Sequence, residues 1–519
     1  MVNESIVLDY YVELIAADQI EFLTGRTKSK AAIISCINEM KKAESIHNKI
    51  EVSKNLWKLL FENAMSFIDK DKHGYDDLFA YFDEFVEFEE LIFASDSFYR
   101  DHTIHSLWVY FLGEYLYRNK EFSFFIKNMM AEYKQFGRYI QQFIDANLLS
   151  KEGYMASIAD SLEQLLQCQG AIRCIAALAH DLGYPLKKIQ KINKSISKIL
   201  PHFAISNFEE FKFNYNTSQL PFIEKFLEFI CLDFVIYFFE RHFHSKKCTQ
   251  IIERIFTYNA EPDGAGLMIN TEELERLSED ERDVLEAAIA PSVNPLKKMS
   301  SYLRYSDDFE QQQHGILSSF LLTKKLWFFK NIPFAYEKAE EVNRQHVDLH
   351  KVFAGTTILS AIADHTSDGF RIKAMNNSSA LLAVVDELEE FSRISRANQN
   401  RQYINQFCRT DLYNNDNWLC IDFIFDNPEI TNLNPEKAFR GRCKRFLSLF
   451  DIPELDESIK IRLRCLSQLP DNHGEYVLEI SKNHANIVVN GVEQDIPQYL
   501  QSRHFYAKDE LGENSARRQ

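Results

Sequence analysis

The chain has 519 residues, of which 45% are hydrophobic and 26% charged, with a formal charge of −17. That balance excludes disordered and collagen-like chains. It also excludes a membrane protein, because the longest apolar run, 227–239, is interrupted by Glu228 and Asp233 and is shorter than the ~20 residues a span requires. The acidic surface disfavours nucleic acid as a partner of the whole chain, while a local basic cleft still accepts phosphate.

Residues 1–95 read as an N-terminal helical region. Ala31, Ala32, Ile33, Ile34 and Ile37 fall at helical spacing, as do Leu56, Trp57, Leu59, Leu60 and Phe61. Helical stripes continue through 96–405, broken by polar stretches near 148–153, 205–220, 259–281 and 366–378. The stretch 259–281, with Gly264 and Gly266, reads as a loop or lid. Near residue 410 the texture changes. Residues 411–417 read as a loop, Trp418–Phe425 as a strand and 459–466 as a half-buried strand of alternating pattern. Residues 476–480 and 487–489 read as a hairpin about Lys482 and Asn483. Pro435–Leu449 reads as a helix with Arg440, Arg442, Lys444 and Arg445 on its polar side. The fold class expected is therefore mainly α, with a small α+β domain at 410–505 and a polar tail at 506–519. Nine scattered cysteines without a Cys-x-x-Cys pair suit neither a zinc ribbon nor a disulfide framework. With no basic-then-apolar leader, they point to reduced thiols in the cytoplasm.

The informative residues are dispersed histidines and aspartates, each set in an apolar, helix-like stretch. They are His105 in DHTIHSLWVYFLGEYL, His180 and Asp181 in AIRCIAALAHDLGYP, His314 in QQQHGILSSFLL, His365 in ILSAIADHTSDG and Asp386 in SALLAVVDELEEFSR. A His-Asp pair after an apolar run is costly to bury unless something compensates it, and a cation does so. Imidazole and carboxylate ligands suit Mn, Fe, Co, Ni or Zn. His180 and Asp181 point ~100° apart on a helix, so they grip one ion only from a helix end, which Gly183 and Pro185 are expected to supply. His102, three residues before His105, shares its helical face and reads as structural or as a support for the ligands. Asp307 and Asp308 lie in a polar stretch expected to be a solvated loop, so Asp386 is preferred as the last ligand. Arg393, two helical turns beyond Asp386, and Lys187, just past the His-Asp pair, are the candidate phosphate contacts.

The order H…HD…D, in the phrases HSLWVYFLG, ALAHDLGYP and LLAVVDELEEFSR, resembles the HD superfamily of metal-dependent phosphohydrolases over roughly residues 95–400. The resemblance implies a helical core in which His105, His180, Asp181 and Asp386 bind a divalent metal, with Mg added to the candidate ions. His314 and His365 resemble the extra histidines of members that bind two metals or use a histidine as general acid. One tightly held ion is the expectation here, with these two histidines as catalytic residues in the phosphate pocket. The long gap from His105 to His180 implies an inserted helical pair at 118–165. Two departures keep the substrate class open. Gly183-Tyr184-Pro185 directly follows the HD pair and is not the G-Y-P signature of the cyclic-dinucleotide subclass. Leu186-Lys187-Lys188-Ile189 stands where the deoxynucleotide triphosphohydrolase subclass carries a Pro-Phe-Gly-His stretch.

The activity implied is hydrolysis of a nucleotide, with a deoxynucleoside triphosphate as first choice, by water that the metal activates. The alternatives are a phosphodiesterase of cyclic or linear dinucleotides and a non-catalytic nucleotide-sensing or partner-binding protein. A homo-oligomer with a nucleotide effector is expected, with the C-terminal domain open to a protein partner and no membrane contact. Nucleotide-depleting relatives in antiviral defence supply an analogy for the biological role. Because every proposed ligand precedes residue 408, the site is expected to be independent of the C-terminal domain.

Overall fold

The computed structural model describes all residues except 1, 94–97, 128, 152–153, 206–213, 240–245, 262–263, 332–347, 396–407, 428–433, 470–472 and 497–519. The tail expected at 506–519 thus lies outside the described residues. The fold is mainly α with a small α+β region near the C-terminal end, the class the sequence predicts.

Four helices open the chain: α1 (Glu4–Ala16), α2 (Thr27–Lys42), α3 (Ile46–Ile68) and α4 (Tyr75–Phe93). A short strand, β1 (Phe98–Arg100), leads into α5 (His102–Arg118), which is buried on every side from His102 to Leu116. A helix buried all round is a central one, and α1 and α3 pack against α5. Two helices, α6 (Ala131–Asp145) and α7 (Tyr154–Gln167), occupy the stretch where a helical pair is expected. Then come α8 (Gln169–Ala179), α9 (Tyr184–Ile199) and α10 (Leu220–Ile230). Trp57 ties α3 to α8 by donating its indole N–H to the Leu178 carbonyl at 2.8 Å, and it stacks on Phe82 at 4.0 Å.

The middle of the chain departs from a purely helical reading. The apolar run 227–239 is split between α10 and a strand, β2 (Leu232–Phe239). After α11 (Lys246–Ile255), the stretch read as a loop or lid is instead an antiparallel hairpin and two short helices. The hairpin is β3 (Phe256–Glu261) with β4 (Gly264–Ile269), and the helices are α12 (Thr271–Glu275) and α13 (Glu279–Ala288). Part of its polar composition belongs to caps: Asn270 caps α12, and Ser278 and Glu281 form a reciprocal capping box at the start of α13. Strand β5 (Ile289–Lys297) returns to pair with β2. Asp307 and Asp308, expected in a loop, lie on α14 (Met299–Glu310), with Asp308 buried. Further helices of the body are α15 (His314–Lys325), α16 (Leu349–Asp364) and α17 (Ser378–Leu388).

Past β6 (Arg393–Ser395), which pairs with β1, a six-stranded sheet has the order β12-β11-β10-β9-β8-β7. Its strands are β7 (Arg409–Asn415), β8 (Trp418–Phe425), β9 (Ile461–Ser467), β10 (Gly474–Ser481), β11 (His484–Val489) and β12 (Val492–Gln494). Residues 411–417 are therefore not a loop. Most form β7, and Asp416 and Asn417 make the left-handed turn into β8 at φ 51° and 62°. The helix α18 (Pro435–Leu449) crosses between the parallel pair β8 and β9, capped by Asn434, which accepts from the Lys437 N–H. Hydrophobic packing is continuous from the helical body into this sheet, through residues such as Phe391, Leu412, Phe439 and Phe450. The Asp451 N–H also donates to the Ile372 carbonyl at 3.0 Å. All nine cysteines are free thiols, eight of them buried.

Candidate metal centre

Five helices bring their ends or edges to one point. His105 lies in the first turn of α5, whose start is fixed by the Asp101 carboxylate accepting from the Ile104 N–H at 2.9 Å. His180 is the C-cap of α8, and Asp181 follows in the turn to α9. Gly183 is the N-cap of α9 and Pro185 lies in its first turn, so Pro185 starts the next helix rather than stopping the last. His314 is the first residue of α15, His365 the C-cap of α16, and Asp386 lies in the last turn of α17. Strand pairing of Arg100 with Arg393 joins the entry of α5 to the exit of α17, which holds His105 opposite Asp386.

Two glycines permit the closest approaches. A Cβ on Gly183 would lie 2.5 Å from the His314 carbonyl oxygen. A Cβ on Gly315 would lie 2.5 Å from the Ile362 carbonyl oxygen and 2.9 Å from His365 Cε1. Helix α15 therefore sits directly on the HD turn and on the end of α16. Ser318 fastens the first contact: its hydroxyl accepts from the Gly183 N–H at 2.7 Å and lies 2.6 Å from the His180 carbonyl as donor.

Asp181 is the hub. Its Oδ2 lies 3.2 Å from His180 Nε2, 3.7 Å from His105 Nε2 and 4.0 Å from His102 Nε2. Its Oδ1 lies 3.1 Å from His314 Nε2 and 3.7 Å from His365 Nε2. Asp386 Oδ1 closes the first side, 2.8 Å from His105 Nε2 and 3.9 Å from His180 Nε2. The donor atoms of His105, His180 and Asp386 form one group within 4.8 Å of one another, and those of His180, Asp181 and His365 form another. The buried His/Asp cluster can thus hold a metal ion.

The outer nitrogens show that the histidines are set for this. His180 Nδ1 is 2.7 Å from the Ala177 carbonyl and His365 Nδ1 is 2.5 Å from the Ile362 carbonyl. A carbonyl oxygen only accepts, so both rings carry a proton on Nδ1 and, when neutral, present a bare Nε2 inward. Both Nε2 atoms are buried and make no hydrogen bond. His105 Nδ1 lies 2.5 Å from Glu389 Oε2, the carboxylate–histidine arrangement that orients a metal ligand. Glu389 is itself fixed by the Ser392 N–H at 2.7 Å and the Ser392 hydroxyl at 2.6 Å. Buried polar atoms without partners are rare, and a cation on these lone pairs accounts for them.

Burial pushes the Asp181 carboxyl up, but His180, His314 and His365 outweigh it and hold it well below the usual range. Asp386 is likewise lowered, against burial, by His105, His180 and Arg100. Burial pushes the His314 imidazole down to about 4. His102 differs: burial pulls it down, but the Glu89 carboxylate, 2.6 Å from its Nδ1, raises it overall.

All six residues read from sequence as ligands or catalytic groups are therefore together: His105, His180, Asp181, His314, His365 and Asp386. The phosphate candidates fare differently. Arg393 is not two turns along the Asp386 helix, because α17 ends at Leu388 and Arg393 opens β6; its side chain lies outside the described residues. The acidic DELEE run opposes the dipole at a helix C-terminus, which is one reason the helix stops there. Lys187 donates to Gln313 Oε1 at 2.7 Å, next to His314. The buried Lys188 lies 4.7 Å over the Tyr184 ring, which packs 3.9 Å from His102 and 5.3 Å from His314. Sequence reasoning assigned no part to Glu89, Arg100, Tyr184 or Glu389. For Glu389 a signal existed in the run of acids where a helix end favours bases.

Comparison of the chain with protein-family models, curated proteins and solved structures finds no match. Among the described residues no helix is long and apolar enough to cross a membrane.

Proposed function

We propose that this chain is a divalent-metal-dependent phosphohydrolase acting on a nucleotide, as the resemblance to the HD superfamily implies. The observation that supports it is the convergence of six dispersed residues on one buried point with the Nε2 atoms of His180 and His365 directed inward and unbonded. His105, His180 and Asp386 make one donor group; His314 and His365, on the other oxygen of Asp181, extend a second. This donor set supports two cations sharing Asp181 over the single ion expected from sequence. Divalent cations there would polarise a phosphoryl oxygen and acidify water.

The chain's own residues do the rest. Glu389 and the Ala177 and Ile362 carbonyls keep the imidazoles of His105, His180 and His365 in one tautomer. His102, with Nδ1 tied to Glu89 and Nε2 turned toward Asp181, holds a proton at Nε2 when charged and can pass it to a leaving oxygen. In this reading that role moves from His314 and His365, whose Nε2 atoms lie 3.1 and 3.7 Å from Asp181 Oδ1 and suit ligands. Lys187 and Lys188 give the rim beside His314 the positive charge a phosphate needs.

The test is a hydrolysis panel with Mn(II), Co(II) and Mg(II): deoxynucleoside and ribonucleoside triphosphates, cyclic dinucleotides and linear dinucleotides. Turnover of a triphosphate supports the reading in full. Turnover confined to dinucleotides moves it to a phosphodiesterase. Nucleotide binding with no turnover on any substrate makes the protein a sensor and sinks the proposal.

A further inference from the structure

The acidic run that carries Asp386 is neutralised from outside the helical body. Asp386 and Glu387 lie in the last turn of α17, Glu389 is its C-cap and Glu390 follows, buried. Like charges so close at the negative end of a helix repel one another and the dipole. Arg100, from β1, answers part of this. Its Nη1 is 3.5 Å from Asp386 Oδ1, and its Nη2 donates to the Glu389 carbonyl at 2.9 Å and lies 3.8 Å from Glu390 Oε1. The same Glu390 oxygen is 3.0 Å from Nη2 of Arg442, on α18 of the C-terminal α+β region. Arg442 lies 4.0 Å over the Phe423 ring of β8, so its own position is set by the sheet. One turn on, Arg445 Nη1 is 3.1 Å from Glu387 Oε1.

We propose that Arg442 is a positioning residue of the metal centre: by neutralising Glu390 it leaves Arg100 directed at Asp386, so the C-terminal region sets how tightly the helical body holds its cation. This rests on the metal reading above and departs from the expectation of an independent site. Glu390 Oε1 sits between two guanidinium groups and is nearer to Arg442. Without Arg442, the buried carboxylate draws Arg100 away from Asp386, and Asp386 loses the partner that aims it across His105. Removing supports of this kind costs ~10–100-fold in metal affinity.

The measurement is Mn(II) affinity of the full-length chain, followed by the electron paramagnetic resonance of free Mn(II), with a thermal melt of each variant alongside. Arg442→Met is expected to bind Mn(II) about 10-fold more weakly. Arg442→Met combined with Glu390→Gln is expected to return to within about threefold of the parent, because the charge that displaces Arg100 is gone. A packing role for Arg442 would leave the double variant as weak as the single one, and that result overturns the proposal, as does parental affinity in Arg442→Met. If Arg442→Met does not fold, the double variant, which removes both buried charges together, and Arg442→Lys carry the test. Both should bind within about threefold of the parent, and a tenfold loss in either overturns the relay. A parent that binds no Mn(II) overturns the metal reading before any variant is made, whereas a parent that binds with variants off the expected pattern overturns the relay alone.

Discussion

Helix α5 carries one buried charge cluster near each end, and the two are completed differently. At its C-terminal end Glu114 accepts from Arg173 Nε at 2.5 Å and Nη2 at 3.1 Å, and from Arg118 Nε at 2.5 Å. Arg118 also donates to Glu21 at 2.7 Å, and the Arg173 guanidinium lies 3.8 Å over the Tyr117 ring. Anion and cation there answer each other within the protein. At its N-terminal end the ligand cluster has carboxylates, imidazoles and inward Nε2 atoms that accept no hydrogen bond. The closed cluster borders a mostly apolar cavity, which Val109, Gly113, Ala176 and Val385 line together with Glu114 and Arg173. Burial of charge alone therefore does not mark a site. Imidazole lone pairs turned toward a shared carboxylate and left unbonded, those of His180 and His365, do.

The largest expected effect tests the open cluster. Asp181→Ala removes the carboxylate whose oxygens face His105 and His180 on one side and His314 and His365 on the other, and elemental analysis should find its metal content below about a tenth of the parent's. The stabilisation by Mn(II), ~2.7 kcal/mol at 100 times Kd and read as a rise in melting temperature, should vanish with it. Equal metal in the two proteins would refute the assignment. Next comes the closed cluster. Glu114→Gln leaves Arg173 buried without its counter-charge and should cost ~3–5 kcal/mol in denaturant unfolding while metal affinity stays parental. Loss of metal in that variant would show that the two clusters are one.

Acid sharpens the same contrast. Burial pushes Glu114 up, but Arg173 and Arg118 outweigh it and hold the carboxyl down at about 2, against an ordinary value of 4.5. A group lowered on folding stabilises above its unfolded pKa and loses that contribution as pH falls through the folded value. About 3 kcal/mol should therefore fade between about pH 4.5 and about pH 2, measured as stability against pH, and Glu114→Gln should flatten that limb. The smallest effect returns to the open cluster. Gly183→Ala would place a Cβ against the His314 carbonyl and should cost ~1–3 kcal/mol by pushing α15 off the HD turn. Calorimetric Mn(II) stoichiometry should then drop toward the ligands that remain, and an unchanged stoichiometry would mean that His314 and His365 hold no ion.

Local pattern made much of this legible. Pro435–Leu449 and Trp418–Phe425 read from sequence with the bounds the structure gives, because a cap with Pro and an apolar run between turn residues are local signals. His314 at a helix start and His365 at a helix end were legible for the same reason. Residues 411–417 were not, because the Asn and Asp that signal a turn also fill the strand leading into it, hiding the buried Leu412. Asp308 was misread because a polar helix face resembles a loop until the partner that buries it is known. Arg393 was misplaced by extending a helix past its own charge limit. The second layer was hardest: Glu89 reaches His102 and Glu389 reaches His105 only through tertiary packing, 284 residues of sequence separating the latter pair.

That separation also orders events during synthesis. His105 and Asp386 are 281 positions apart, so at ~5–20 residues per second the first ligand leaves the ribosome ~14–56 s before the last. Through that interval the nascent chain lacks the group of His105, His180 and Asp386. If the cluster holds a cation as proposed, that group could capture it only once the helical body is nearly complete, and a chelator added after release would act on completed molecules rather than on assembly.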